Sequence, residues 1–249
     1  MSRHSKHTVL MTVEGNIASG KSTFLDYLKE FPKVILLKEP VELWENFHGT
    51  NLLKQKYEHP SDRNEYMFQT LVNTSRLNQL HTSSSTDSIK IMERSLHSAF
   101  NVFVKNSHEN SNMSNLSYEL LKYNYEVCTQ GAIKKYTNPD LLVYIKTTPD
   151  VCLQRLQGRK RLAESTVDLA YLTQIHNAHE KWLFSTLENE SYGIKPSILT
   201  IDGNQNPKRM QEEAKRVYEE ILNIKDNPFT VNLLARDPFL VISRCNNIN

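Results

Sequence analysis

The chain has 249 residues, 39% of them hydrophobic and 23% charged, and its 30 basic and 28 acidic side chains leave a net charge of +2. This composition is typical of one globular, enzyme-sized unit and excludes a disordered acidic chain. Because the net charge is small, we expect neither a nucleic-acid polymer nor an anionic membrane surface as a partner. No apolar run reaches the roughly eighteen residues that a membrane span needs.

The cysteines and the first residues bear on the cellular compartment. Cys128, Cys152 and Cys245 are scattered without metal-binding spacing and cannot form a disulfide framework. The basic start, Met1 to Thr8, is too short for a transit segment and lacks the apolar stretch of a secretory signal. We therefore expect a cytoplasmic protein.

Short aliphatic runs alternate with longer helical patterns along the chain, which predicts an α/β fold with a five-stranded parallel sheet wrapped by helices. The predicted strands are Thr8–Glu14, Val34–Lys38, Ile89–Met92, Leu141–Ile145 and Ile198–Ile201. The predicted helices are Lys21–Glu30, Arg63–Leu80, Leu96–Lys135, Asp150–Gly158, Thr166–Glu188 and Pro207–Ile224. The Ser- and Asn-rich stretches Thr82–Ser88 and Asn106–Ser117 are expected to be solvent loops.

A phosphate-binding loop follows the first strand and opens the first helix. Its residues are Gly15, Asn16, Ile17, Ala18, Ser19, Gly20, Lys21 and Ser22, which satisfy the G-x-x-x-x-G-K-[ST] pattern. Glycines let backbone N–H groups surround phosphate oxygens, Lys21 reaches the terminal phosphates, and Ser22 is placed to ligate Mg²⁺. The motif predicts a bound nucleoside triphosphate.

Charged residues follow the next two predicted strands. Glu39 ends the second strand, and Glu93 and Arg94 end the third. Since ligands of open α/β sheets bind beyond the carboxyl ends of the strands, these side chains should meet near the phosphates. A carboxylate facing a γ-phosphate suggests proton removal from an attacking hydroxyl, with Arg94 holding the geometry. There is no N-K-x-D guanine signature.

An arginine-rich segment follows the fourth strand and its helix. It contains Arg155, Arg159, Lys160 and Arg161, and Glu164 comes shortly after. In a P-loop phosphotransferase such a segment can close over the nucleotide and place arginines on the transferred phosphoryl group. We therefore predict an arginine-rich lid.

Five motifs in this order resemble the eukaryotic deoxynucleoside kinase family. They are Glu-Gly-Asn-Ile-x-x-Gly-Lys-Ser, Glu-Pro-Val-Glu-x-Trp, Phe-Gln-Thr, Glu-Arg-Ser and Arg-x-x-x-Arg-x-Arg-x-x-Glu, and the resemblance covers roughly residues 8 to 224. It implies a P-loop kinase fold in a domain over residues 1–224, with a C-terminal tail, 225–249, of unassigned role. The implied activity is ATP-dependent phosphorylation of the 5′-hydroxyl of a deoxynucleoside, in nucleotide salvage, by a homodimer.

The resemblance also implies roles at the reacting end. Glu39 is similar to the general base that takes the 5′-hydroxyl proton, and Arg94 to the arginine that positions this base. Ser22 and Glu93 resemble the Mg²⁺ contacts. Arg159 and Arg161 resemble the lid arginines, and Asn204, Gln205 and Asn206 the stretch that meets the adenine of ATP.

Around the substrate, the resemblance implies a flat slot for the nucleobase. Gln69 is similar to the amide that hydrogen-bonds the base edge, and the walls are Ile17, Trp44, Phe68 and Phe103. Tyr57 and Glu164 resemble the pair that holds the 3′-hydroxyl.

The preferred base stays open at this point. Gln69, Val72 and Arg76 share one helix face, which could line one pocket. Arg76 is similar to an arginine of purine- and cytosine-using members, whereas Ala99 is the small residue of thymidine-accepting ones, so the pattern predicts a mixed preference. An unpaired buried arginine is costly, so we expect Arg76 to reach solvent, a base carbonyl or an acidic neighbour.

Two alternatives fit the phosphate-binding loop as well. One is a nucleoside monophosphate kinase. The other is a non-catalytic P-loop module that binds a nucleotide and a protein partner.

Overall fold

The computed structural model of the chain describes residues 8–82, 88–159, 164–184 and 197–226. Its centre is a five-stranded sheet in which every adjacent pair is parallel, with the order β2-β3-β1-β4-β5. The strands are β1 (Val9–Glu14), β2 (Val34–Leu37), β3 (Ile89–Glu93), β4 (Leu141–Lys146) and β5 (Ser197–Asp202). The predicted fold class and all five predicted strands are confirmed.

Helices cover both faces of this sheet. They are α1 (Lys21–Leu28), α2 (Val41–Glu45), α3 (Leu52–Glu58), α4 (Asp62–Leu80), α5 (Leu96–Ser98), α6 (Lys105–Glu109), α7 (Asn115–Gln130), α8 (Lys134–Thr137), α9 (Pro149–Arg159), α10 (Leu169–Phe184) and α11 (Pro207–Asp226), with a π-helix over Ala99–Val104. Among the residues that the structure describes, no helix is long and apolar enough to cross a membrane.

The main hydrophobic core lies between one face of the sheet and helices α1 and α11. It contains alternate residues of β1 with side chains of the two helices, among them Val9, Met11, Val13, Phe24, Leu25, Val217 and Ile221. The opposite face of β4 packs Leu142 and Tyr144 against Ile175 and Trp182 of α10. Because both faces are buried, β1 and β4 are mostly apolar, as parallel strands usually are.

The prediction of one long helix over Leu96–Lys135 is wrong. The backbone switches to a π-helix at Ala99, stops after Glu109, and turns through Ser111, whose φ of 60° lies in the left-handed region. The predicted solvent loop Asn106–Ser117 is wrong in its first half, because Asn106 and Ser107 are buried and Ser107 donates a hydrogen bond to Glu65 Oε2 at 2.9 Å. Two short helices, α2 and α3, were not predicted.

The strand order reverses direction around β1, and this reversal opens a crevice at the carboxyl edge of the sheet. In the register, Val13 of β1 pairs with Glu93 of β3, so the first residues after both strands are neighbours. The loops after β1, β2 and β3 therefore carry the motif residues into one place.

Candidate active site

A cavity of about 760 Å³ opens at this edge, a volume within the range of small-molecule sites. Its walls bring together most of the predicted site residues. These are Ile17, Ala18, Ser19, Gly20, Lys21, Ser22, Glu39, Trp44, Tyr57, Phe68, Gln69, Val72, Arg76, Glu93, Arg94, Ala99, Phe103, Arg159 and Glu164. The lining also includes Lys56, which was not predicted.

The phosphate-binding loop has the backbone shape that its glycines predict. Gly15 has φ +144°, and a Cβ there would lie 2.6 Å from the carbonyl oxygen of Ile145. Gly20 caps helix α1 at its N-terminus with φ +101°. Only glycine adopts these φ values without strain. Ser19 Oγ is buried and has no hydrogen-bond partner among the described residues, as expected of a loop that binds phosphate oxygens.

Lys21 is buried and folded back onto this loop. Its Nζ donates to the carbonyl oxygens of Asn16 at 2.7 Å and Gly15 at 3.2 Å. Burial, and next the nearby charge of Arg94, lower the pKa of Lys21 to about 8. The charged form of Lys21 is therefore destabilised in the free protein, and a bound anion would stabilise it.

We expect ATP binding to take up a proton at pH 9, because Lys21 is mostly neutral there in the free protein and phosphate oxygens favour its charged form. The affinity for ATP should be highest below pH 8, where Lys21 is charged, and should fall as the pH rises above 8. Calorimetry at pH 9 in two buffers of different ionisation enthalpy measures the uptake. Lys21→Arg is the control, since a guanidinium stays protonated; equal proton uptake by both proteins would contradict the assignment.

Glu39 is held by two arginines at the edge of the cavity. Arg76 Nη2 donates to Glu39 Oε1 at 2.7 Å, and Arg94 Nη1 donates to the same oxygen at 2.8 Å. No residue that the structure describes donates a hydrogen bond to Glu39 Oε2. One carboxylate oxygen is therefore fixed by charge, and the other is left for a ligand.

Burial alone would raise the pKa of Glu39, but the charges of Arg94, Arg76 and Lys21 outweigh it and hold that pKa at about 2. The carboxylate is ionised throughout the physiological range. Arg76 was expected to reach solvent, a base carbonyl or an acidic neighbour, and in the structure it contacts an acidic neighbour, Glu39. Arg76 also donates to the carbonyl oxygens of Glu93 at 2.6 Å and Arg94 at 3.1 Å.

Arg94 is itself fixed by unusual backbone geometry. Its φ of 59° lies in the left-handed region, which a residue other than glycine rarely adopts, and its N–H donates to the carbonyl oxygen of Val13 at 2.9 Å. Arg94 Nη2 also contacts the carbonyl oxygen of Gly15 at 3.3 Å. Arg94 thus joins the phosphate-binding loop to the carboxylate.

Ser22 and Glu93 meet beside the loop. Ser22 Oγ donates to Glu93 Oε1 at 2.9 Å, and both side chains line the cavity. A hydroxyl and a carboxylate next to bound phosphates are the oxygen donors that Mg²⁺ prefers.

Aromatic rings form a slot on the other side of Glu39. Trp44 and Phe68 meet edge to face with ring centroids 5.7 Å apart, and Phe103 lies under the guanidinium of Arg94 at 4.8 Å. Gln69 is 1% exposed, and within the described part of the chain neither its Oε1 nor its Nε2 has a hydrogen-bond partner. A buried amide without partners is costly, so this slot is built for a flat ligand with its own donor and acceptor.

Lys56, Tyr57 and Glu164 line a third part of the cavity. Thr166 Oγ1 donates to the carbonyl oxygen of Tyr57 at 3.3 Å, which ties the chain after the arginine-rich segment to α3. Burial raises the pKa of the Tyr57 phenol, so its hydroxyl keeps its proton at neutral pH and can donate.

The described arginines of the arginine-rich segment lie in two different places. Arg159 lines the cavity, whereas Arg161 lies outside the described residues. Arg155 was expected to act with the lid, but it donates to the carbonyl oxygens of Ser19 at 3.2 Å and Gly203 at 2.9 Å. Arg155 therefore ties the phosphate-binding loop to the loop after β5.

Asn204, Gln205 and Asn206 do not line this cavity, and neither do Gly15 and Asn16. Asn204 accepts hydrogen bonds from the N–H and hydroxyl of Thr148 and follows Gly203, which Arg155 links to the phosphate-binding loop. Their contact with an adenine stays a prediction.

A parallel sheet whose first strand ends in a phosphate-binding loop, opposite an acid held by arginines, defines a P-loop phosphotransferase. Comparison with known proteins gives the family. A sequence profile described as "Deoxynucleoside kinase" matches residues 11–225. The chain belongs to the deoxynucleoside kinase family, as its resemblance predicted; it is a kinase that acts on deoxynucleosides, and membership implies ATP as the phosphate donor.

The names of individual relatives in this family give different nucleosides as their substrates. Thymidine kinase 2, mitochondrial, from Homo sapiens is 34% identical over 213 residues, which is 86% of this chain and 77% of the relative. Deoxycytidine kinase from Homo sapiens is 29% identical over 237 residues, 86% and 90% of the two chains. Deoxyguanosine kinase, mitochondrial, from Xenopus laevis is 33% identical over 193 residues, 70% and 72%. These identities lie close together and do not select one base.

Proposed function

We propose that the protein transfers the γ-phosphate of ATP, with Mg²⁺, to the 5′-hydroxyl of deoxynucleosides with a broad base preference. The observation that carries this proposal is Glu39, whose Oε1 is fixed by Arg76 and Arg94 while its Oε2 has no donor among the described residues. That free oxygen lies in the same cavity as Lys21 and the aromatic slot. A sugar hydroxyl between them would face both an acceptor and the phosphate-binding loop.

Glu39 acts mainly by orienting the hydroxyl. A carboxylate with a pKa of about 2 is a weak base. Phosphoryl transfer passes through a loose transition state, in which the hydroxyl needs little deprotonation before the new P–O bond forms. Glu39 Oε2 accepts the 5′-hydroxyl hydrogen bond, aligns the oxygen lone pair, and takes the proton late. Arg94 keeps the carboxylate in place and offsets negative charge.

Ser22 and Glu93 are the residues that would hold Mg²⁺, Glu93 through water. Their 2.9 Å contact at the cavity wall places two oxygen donors where a nucleotide's phosphates would supply the others. When bound, the ion neutralises charge on the phosphate oxygens.

The aromatic slot supports a nucleobase as the flat part of the substrate. Gln69 offers one donor and one acceptor, and rotation of the amide by half a turn exchanges them. It can therefore pair with the N3–H and O4 of thymine or with the N3 and amino group of cytosine. Arg76 is directed at Glu39 and at backbone carbonyls, and Ala99 is small, so we expect neither residue to select one base.

The test is a phosphate-transfer panel with radiolabelled ATP, the four natural deoxynucleosides and dTMP. We expect thymidine and deoxycytidine to be phosphorylated with kcat/KM values within about tenfold, because one amide hydrogen-bond pair serves both. A preference of about a hundredfold for one base would contradict the broad preference. Consumption of ATP with dTMP alone would instead favour the monophosphate kinase.

We also propose a homodimer in which α7 packs against a second copy. Leu116, Leu120, Tyr123 and Val127 form an exposed apolar stripe along this helix and are 73%, 46%, 66% and 49% exposed. The spacing of three and four residues places them on one face. Large exposed apolar patches of this kind usually mark an interface.

Replacing Leu120 and Tyr123 together by Glu is expected to convert the dimer to a monomer, because two carboxylates would be buried at the interface. Sedimentation velocity measures the change. Lys122→Glu places the same charge on another side of the helix and should leave the dimer intact. A monomeric wild type would contradict the proposal.

The cytoplasmic location stays a prediction, and so does the division into a kinase domain over residues 1–224 and a tail of unassigned role over residues 225–249. Two of the three relatives described above carry "mitochondrial" in their names, and residues 227–249 lie outside the described residues.

A further inference from the structure

Lys56 is a buried lysine in the wall of the substrate cavity, and the reaction above does not use it. The residue is 3% exposed. Its Nζ donates to the hydroxyl of Tyr171 at 2.9 Å. Four rings surround the ammonium, with Nζ 4.2 Å from the centroid of Tyr57, 5.2 Å from Tyr171, 5.7 Å from Phe68 and 5.9 Å from Phe103.

This lysine is charged at neutral pH. Burial alone would lower the pKa of Lys56, but the hydrogen bond to the Tyr171 hydroxyl and the charge of Glu65 act in the opposite direction, and the pKa lies above its usual value. Aromatic faces stabilise a cation, most strongly where water is excluded. No carboxylate of a described residue lies within ion-pair distance of Nζ, so the charge is held by rings and a hydroxyl.

The ammonium has more donors than the described protein uses. It carries three N–H groups, and Tyr171 accepts from one of them. An apolar side chain would fill this site at lower cost, because burying a charge is unfavourable unless its hydrogen bonds are met. An acceptor on the ligand would give the remaining N–H groups of Lys56 a hydrogen-bond partner.

The cavity leaves one part of a deoxynucleoside for this acceptor. The 5′-hydroxyl must lie at Glu39 to react, and the base fills the slot that ends at Gln69. Lys56 lies in the third part, closer to the ring of Tyr57 than to the slot rings Phe68 and Phe103. The second hydroxyl of a deoxyribose, on carbon 3′, is the group left for this part, which Lys56 shares with Tyr57 and Glu164, the pair that resembles the residues holding this hydroxyl.

We propose that Lys56 is a specificity-determining residue whose ammonium donates a hydrogen bond to the 3′-oxygen of the deoxynucleoside. The proposal rests on the proposed function, since it requires a nucleoside in this cavity. It assigns to Lys56 the selection of substrates with a 3′-hydroxyl over 3′-deoxy analogues.

The test compares two substrates with two proteins. Lys56→Met keeps the length of the side chain and removes its charge and donors, and the substrates are thymidine and 3′-deoxythymidine. We expect Lys56→Met to lower kcat/KM for thymidine by about 10- to 100-fold, the value of a charged hydrogen bond, mainly through KM. For 3′-deoxythymidine the same change should cost less than about threefold, because the acceptor is absent.

Two further variants separate this role from packing. Lys56→Gln keeps an N–H donor and should recover part of the discrimination between the two substrates. Lys54→Met makes the same change on the same helix at an exposed lysine that pairs with Glu58 at 3.6 Å, and should change neither kcat/KM. Thermal unfolding of each variant is measured in parallel.

An equal loss of kcat/KM for both substrates in Lys56→Met would overturn the proposal, since a structural link between α3 and α10 would not depend on the 3′-oxygen. An unchanged kcat/KM for both would overturn it as well. A wild type that phosphorylates no deoxynucleoside would overturn the proposed function together with this inference, so the two failures are distinguishable.

Discussion

Replacing Glu39 by Gln is expected to lower kcat with thymidine by roughly 10³-fold, because the amide presents no strong acceptor to the 5′-hydroxyl and cannot take its proton. The same change leaves Arg76 and Arg94 without their shared counter-charge, so unfolding should also become easier by about 3–5 kcal/mol. Single-turnover transfer from radiolabelled ATP measures the chemical step, and calorimetric ATP affinity shows that the nucleotide site is intact.

Glu30→Gln is the matched control for this experiment, since Glu30 is exposed and lies outside the cavity. It should leave kcat and stability unchanged. A Glu39→Gln protein that keeps kcat within threefold of the wild type while binding ATP normally would remove Glu39 from the reaction.

Replacing Lys21 by Met is expected to reduce kcat by about 10²- to 10³-fold, the usual cost of removing one preorganised donor from a developing charge. ATP affinity should fall as well, because the buried ammonium lies on the phosphate-binding loop, 2.7 Å and 3.2 Å from two of its carbonyl oxygens. Met keeps the packing of the side-chain stem. The fold should therefore be preserved and even stabilised, since a buried charge is removed.

The control for Lys21→Met is Lys29→Met, at the exposed C-terminal end of the same helix. Its kinetics should match the wild type. Normal transfer by Lys21→Met at saturating ATP would mean that Lys21 folds onto the loop for structural reasons alone.

The phosphate-binding loop could be predicted from the sequence because its chemistry is local. Eight consecutive residues fix a glycine turn, a helix start and a lysine, and the strand before them is apolar. Glu39, Glu93 and Arg94 could be predicted next, since parallel strands deliver their carboxyl ends to one edge. Predicting that these three side chains lie close together required only that the strands run parallel.

Contacts between distant segments could not be predicted in this way. Lys56 meets Tyr171 across 115 positions of sequence, and α3, which carries Lys56, is a seven-residue helix that periodicity did not reveal. One signal was present, because Lys56 lies four residues after Leu52 and so shares the buried face of α3. A lysine on an apolar face is a local inconsistency that points to function.

The π-helix over Ala99–Val104 is a second feature that periodicity could not give. A π-helix inserts an extra residue into the helical repeat, so a pattern with a period of 3.6 shows only an apparently continuous helix. Ala99 and Phe103, the first and fifth residues of this π-helix, both line the cavity. Arg155 was likewise predicted to belong to the lid. Its true partners are backbone carbonyls, and a pattern of side chains does not reveal such contacts.

The most direct measurement is the position of the new phosphate. Wild-type protein is incubated with radiolabelled ATP and either thymidine or 5′-deoxythymidine, and the products are separated against authentic 5′- and 3′-monophosphates. Thymidine is predicted to give the 5′-monophosphate alone, and 5′-deoxythymidine to give no product. Labelled 3′-monophosphate, or transfer to 5′-deoxythymidine, would contradict a Glu39-bound 5′-hydroxyl facing the phosphate-binding loop.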